Sequence, residues 1–103
     1  MNGYVILGIE RRDHVYKTVG IELPIELAQE RATLLRTTAE AIEGITSAPG
    51  SEQYYGERAS RLAPFQRRWL EIDQQGRVAR REITSIRNGY NIGQILDSQN
   101  NPI

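Results

Sequence analysis

Apolar and polar residues alternate from Tyr4 to Glu10, with Val5, Leu7 and Ile9 on one face. They alternate again from Val15 to Leu23, where Val15, Val19, Ile21 and Leu23 share a face that Lys17 interrupts. A period of two is the signature of a strand with one buried face. Arg11-Arg12-Asp13-His14 separates the two runs and reads as a turn, so the chain is expected to open with a β-hairpin.

The period then lengthens. Ile25, Ala28, Ala32, Leu35, Ala39 and Ile42 recur at spacings of three and four, flanked by Leu27 and Leu34, and predict a helix. Pro24 suits its first position, where a missing N–H costs nothing, and Gly44 is the expected stop. Glu22, Glu26 and Glu30 lie before or in the early turns, where the helix dipole favours negative charge. Ser47 to Gly50 is a loop, and Ser51 can cap a second, shorter helix carrying Tyr55, Ala59 and Leu62 at i, i+4 and i+7. Pro64 is expected to end that helix, because the residue before a proline avoids helical geometry.

Arg67 to Asp73 and Arg77 to Ile86 read as a second hairpin around Gln74-Gln75-Gly76, a loop ending in glycine. In the expected register Asp73 faces Arg77, Ile72 faces Val78, Arg68 faces Glu82 and Trp69 faces Arg81, which joins opposite charges and sets an arginine on an indole. Asn88-Gly89 signals a further turn, and Tyr90 to Leu96 fits either strand or helix. Strands and helices come in blocks, in ββααββ order. The expectation is one α+β domain over residues 1–103: a small antiparallel sheet of two hairpins, packed by one long and one short helix, with residues 98–103 as a flexible tail.

The 103 residues carry 13 basic and 13 acidic side chains. The balance hides an asymmetry: residues 21–57 hold two basic against seven acidic residues, and residues 58–87 hold eight basic against three acidic. Twelve of the 13 basic residues are arginine, so the surface is rich in planar, bidentate donors. The absence of cysteine excludes disulfides, thiolate metal sites and a thiol nucleophile. No apolar run reaches the ~20 residues that cross a bilayer, and nothing resembles a signal peptide. The expected setting is therefore the cytoplasm, with no membrane partner.

Candidate chemistry is sparse. His14, the only histidine, sits beside Asp13 in a turn, which does not hold an acid and a ring as a catalytic triad needs. Glu26/Glu30 and Glu40/Glu43 have same-face helical spacing, but two carboxylates do not make a metal site. Glu71 and Asp73 lie near Trp69, but on a strand both would point the same way, unlike carboxylates that flank a bond. Gly-rich phosphate loops are absent, and Gly89/Gly93 means nothing outside a membrane helix. No catalytic residue, metal or cofactor is expected.

Three functions remain. The first is a non-enzymatic protein-interaction module, self-associating as a homodimer or binding another protein, whose surface is Trp69 with Arg67, Arg80, Arg81 and Tyr54. The second is a nucleic-acid or polyanion-binding accessory protein using Arg58, Arg61, Arg67, Arg68, Arg77, Arg80, Arg81 and Arg87; zero net charge counts against it. The third is a small-molecule-binding domain with a pocket between helices and sheet and tyrosines as polar handles.

Overall fold

Strands β1 (Asn2–Arg12) and β2 (Val15–Pro24) pair antiparallel, from Asn2 opposite Pro24 to Arg12 opposite Val15, as the alternation predicts. The computed structural model describes residues 1–13, 15–83 and 90–103. Asp13 closes β1 in the left-handed region, at φ 49, which a short polar side chain tolerates. The register slips by one residue between Ile6 and Gly8. This β-bulge changes which residues share a face. Val5 and Leu7 pack with one core cluster, but Ile9 joins Tyr4 and Ile6 in the other, so the expected common face of Val5, Leu7 and Ile9 is broken.

Helix α1 (Ile25–Glu43) follows directly, with Pro24 as its N-cap and Gly44 as its C-cap. Helix α2 (Glu52–Asp73) starts at Ser51, whose Oγ accepts the Tyr54 N–H at 3.1 Å. Two expectations fail here. Pro64 does not end α2, and Arg67 to Asp73 is helix rather than strand, which makes α2 the longer helix. The reason is packing. Leu62, Phe65, Trp69 and Ile72 fall at i, i+3, i+7 and i+10 and are all at least half-buried. Continuing the helix lays this stripe against α1, which offsets the ~3 kcal/mol cost of an interior proline. Pro64 and Ser60, whose carbonyl loses its i+4 donor, are both exposed, so that carbonyl is not buried without a partner.

With that strand gone, its cross-strand pairs go too. Strand β3 (Arg77–Ile83) pairs with β2 instead: Arg77 opposite Glu22, Val78 opposite Ile21, Arg81 opposite Thr18 and Glu82 opposite Lys17. The ββααββ order is completed by β4 (Ile95–Leu96), inside the segment whose period was ambiguous. The result is an antiparallel four-stranded sheet, β3-β2-β1-β4, in an α+β fold. Expectations for residues 84–89, including the end of the second hairpin, Arg87 and the Asn88-Gly89 turn, lie outside the described residues, as does His14. Residues 98–103, read from the sequence as a tail, turn back on β4: Asp97 N–H donates to Asn101 O, and Ile103 N–H to Ile95 O, both at 2.9 Å.

Both helices lie on one side of the sheet. Val5, Ile21 and Leu23 point toward them and pack with Ala28, Ala32 and Ile72. Tyr4, Ile6, Tyr16, Ile83 and Leu96 form a second core on the opposite face. α1 packs on β1, β2 and β4, whereas α2 rests chiefly on α1. Of its 22 residues only Ile72 is fully buried. The body is therefore thin, with extents of 42 × 32 × 18 Å. Its radius of gyration is 15.0 Å, against ~13 Å for a compact chain of this length. No described helix is long and apolar enough to cross a membrane.

Candidate functional site

Three places concentrate unusual chemistry, and each begins with a departure from pattern. The first is Arg31, which stands in the buried stripe of α1 between Ala28 and Leu35. It is 8% exposed. Its Nε donates to Asp73 Oδ1 at 2.8 Å and its Nη2 to Oδ2 at 3.4 Å. The guanidinium lies 6.0 Å from the Trp69 ring centre. Asp73 is the last residue of α2, where the dipole disfavours a carboxylate and no basic residue of the last turn answers it. Arg31 supplies that charge from the neighbouring helix. Beside it Arg68 bridges Glu30, with Nη2 donating to Oε1 at 2.7 Å, and also reaches Glu71 at 3.3 Å. The hydrogen bond from Arg68 holds the Glu30 carboxyl below the usual carboxylate range, and Glu30 raises the Arg68 guanidinium above its ordinary value.

The second place is the sheet face away from the helices. Gly20 has no side chain, and the Tyr4 ring lies across the gap; a Cβ there would sit 2.7 Å from Tyr4 Cε1. Tyr4 is fully buried. Its hydroxyl donates to Ala79 O at 3.0 Å and contacts Thr18 Oγ1 at 2.9 Å, while Thr18 donates to Arg81 O at 3.1 Å. Two hydroxyl hydrogens thus serve three contacts. The Arg81 guanidinium covers the ring at 4.1 Å from its centre, a cation–π contact. Arg81 also donates to Asp97 O, Asn100 Oδ1 and Glu22 Oε1 at 2.8, 3.1 and 3.2 Å. A half-open cavity of about 580 Å³ lies alongside, lined by Tyr4, Glu22, Arg81, Asp97 and Asn100 among others. Arg81 and Glu22 pair with each other along it, and among the described residues no buried side-chain polar atom is left without a partner. The cavity lies at the edge of the far face, not between helices and sheet, where a ligand pocket was expected.

The third place is the side of α2 that faces away from α1. At 100° per residue, Glu52, Gly56, Ala59, Ala63, Arg67 and Leu70 fall on one face, turned away from the stripe that packs on α1, while Tyr55 falls close to the line of Leu62. All seven are exposed. Tyr55 and Leu70 remain 58% and 47% accessible, high for residues of this size.

The structure does not gather the expected interaction residues into one surface. Trp69 is half-buried in the helix seam, and Tyr54 is half-buried at the other end of α2, edge-on to Tyr55. Arg67 is on the outward face of α2 with 93% of its side chain exposed. Arg80 and Arg81 are neighbours on β3 and point to opposite faces: Arg80 sits beside Val19 on the uncovered end of the helix side, and Arg81 beside Tyr4. The arginines considered for polyanion binding are also dispersed. Arg61 donates to Ala41 O, Arg68 to Glu30 and Arg81 to Glu22, while Arg58, Arg67, Arg77 and Arg80 are exposed on two elements. Glu71 and Asp73 part company on the helix: Glu71 meets Arg67 and Arg68, and Asp73 meets Arg31. Among the described residues no three His, Cys, Asp or Glu side chains come together as a metal needs.

Sequence reasoning missed Arg31, although its place inside an apolar stripe was a readable signal. It also missed the outward face of α2, because that face exists only if the helix continues through Pro64. Comparison with protein-family models, with curated proteins and with solved structures finds no match.

Proposed function

We propose that the protein is a non-enzymatic, cytoplasmic protein-interaction module that acts as a homodimer. One observation carries this reading: a helix of 22 residues rests chiefly on α1 and leaves a full-length face, ending in an exposed leucine, to solvent. Monomers this small have little surface to spare for burial, and exposed apolar area on a rigid element is what contact surfaces use. A two-layer body of 18 Å thickness presents that face without obstruction from its own elements. Polyanion binding has less support, since Arg61, Arg68 and Arg81 are bonded within the chain and the described remainder do not share a face.

Light scattering after size exclusion, over a range of protein concentrations at low and high salt, tests the proposal. The mass is expected to double as concentration rises. A monomer mass throughout overturns it. Trp69→Ala is not a suitable probe, because the ring is wedged beside Arg31 and its removal disturbs the helix pair itself.

A further inference from the structure

We infer that two copies meet through the outward face of α2, with the helices antiparallel about a two-fold axis at the level of Arg61. This rests on the homodimer reading and names its surface. The axis places Ala59 against Ala63 of the second copy and Gly56 level with Gln66. The argument is one of charge and clearance. Glu52 stands at one end of the face and Arg67 at the other, with small residues between. Antiparallel contact brings each Glu52 within a helical turn of the second copy's Arg67, twice by symmetry. Parallel contact sets Glu52 on Glu52 and Arg67 on Arg67, and repels.

Arg67 is equipped for this. Among the described residues its one ion-pair partner is Glu71, four residues on, at 3.4 Å, and its side chain is almost wholly in solvent. A planar guanidinium at that position can reach Glu52 of the second copy. The glycine and alanines in the middle add no bulk, so the two backbones can come to the close end of the 8–10 Å range of packed helices. Leu70, on the same face, then lies over the first turn of the opposite helix. An interface one helix wide falls below the ~1,200 Å² of stable complexes. The dimer is accordingly weak and concentration-dependent.

The chain contains no cysteine, so introduced thiols report on this geometry alone. Ala59→Cys and Ala63→Cys are prepared separately, mixed and mildly oxidised; both sites are exposed, so folding is retained. Across the proposed axis one thiol of each kind meets the other at disulfide distance, ~3.8 Å between Cβ atoms. Within either variant alone the like thiols are offset by about a turn. The mixture is expected to form covalent dimer several-fold faster than either variant by itself. Val78→Cys, on the exposed helix-facing side of β3, serves as the comparison. If the protein dimerises in solution and Val78→Cys links while the mixture does not, this face is wrong and the homodimer reading stands. If no variant links and the mass is that of a monomer, both fall.

Discussion

Arg31 of α1 and Asp73 of α2, 42 positions apart, form a bidentate pair that closes the base of the helical layer, with the guanidinium buried and the carboxylate partly open to water. The two side chains are not equivalent. Asp73→Ala leaves a buried cation without its partner, whereas Arg31→Met leaves a carboxylate that can turn to solvent. Removing one member of a buried pair costs ~3–5 kcal/mol, and an apolar replacement of the buried member recovers part of it. Asp73→Ala is therefore expected to lose about 3 kcal/mol in urea unfolding and Arg31→Met clearly less. The reverse order would mean that Arg31 stabilises the helical layer through contacts other than Asp73.

Gly20 and Tyr4 make a second test, on the opposite face of the sheet. Gly20→Ala drives a methyl group into the Tyr4 ring and the backbone beneath it, and neither can retreat from a fully buried position. Overpacking of this kind costs ~1–3 kcal/mol, and about 3 is expected here. Tyr4→Phe keeps the ring under Arg81 and removes only the hydroxyl, for about 1–2 kcal/mol. Thermal unfolding reads both, at roughly 4–8 °C per kcal/mol for a domain this size. If the alanine variant is as stable as the parent, the ring does not lie across β2.

How much of this was readable in the sequence depends on the element. The first hairpin and α1 follow from runs with one strong period each, and α1 ends at the glycine expected. The stretch from Leu62 to Asp73 carries two periods at once. Trp69-Leu70-Glu71-Ile72-Asp73 alternates, while Leu62, Phe65, Trp69 and Ile72 keep helical spacing. A local rule about proline tipped the reading to strand, and long-range packing on α1 tips the molecule to helix. The site residues failed for the same reason. Trp69 and Arg81 were brought together by a hairpin that does not form, and the outward face of α2 comes into being only when the helix passes Pro64. The Leu7 bulge left no mark in the pattern either, since Leu7 and Ile9 are apolar whichever face they occupy.

The Glu30–Arg68 contact joins the exposed edges of the two helices and has a pH signature. Its hydrogen bonds lower the Glu30 pKa in the folded protein relative to the unfolded chain. The unfolded state thus binds the proton more readily, and stability rises with pH where it is protonated and the folded state is not. The contribution of this pair is present above the ordinary glutamate range and is lost as pH falls through the depressed folded value. Being solvent-exposed, it is small. Carboxyl-resolved NMR titration is expected to place Glu30 below the ordinary glutamate range, and Arg68→Ala to return it toward that range. A Glu30 that titrates in the ordinary glutamate range in the parent would mean that the bridge is not populated in solution.

The antiparallel contact of α2 with its copy makes a reciprocal prediction about charge. In Glu52→Arg each end of the face becomes basic, so two arginines oppose one another at both symmetry-related sites. In Arg67→Glu both ends become acidic. Each single reversal is expected to push dimerisation to higher concentration, because like charges at a contact repel where opposite ones attracted. The double variant, Glu52→Arg with Arg67→Glu, exchanges the signs and restores complementarity, so its association is expected to return toward that of the parent. Circular dichroism controls for the helix, since an arginine in the first turn costs only a few tenths of a kcal/mol against the dipole. High salt should weaken the parent and the double variant alike. The Glu52–Arg67 pairs are solvent-exposed, and the Debye length shrinks from ~8 Å at physiological ionic strength to ~3 Å at 1 M, so their attraction is screened in both. Recovery in the double variant is specific to an antiparallel two-fold arrangement: a heterologous contact between α2 and any other part of the surface would keep the damage of one or both single changes.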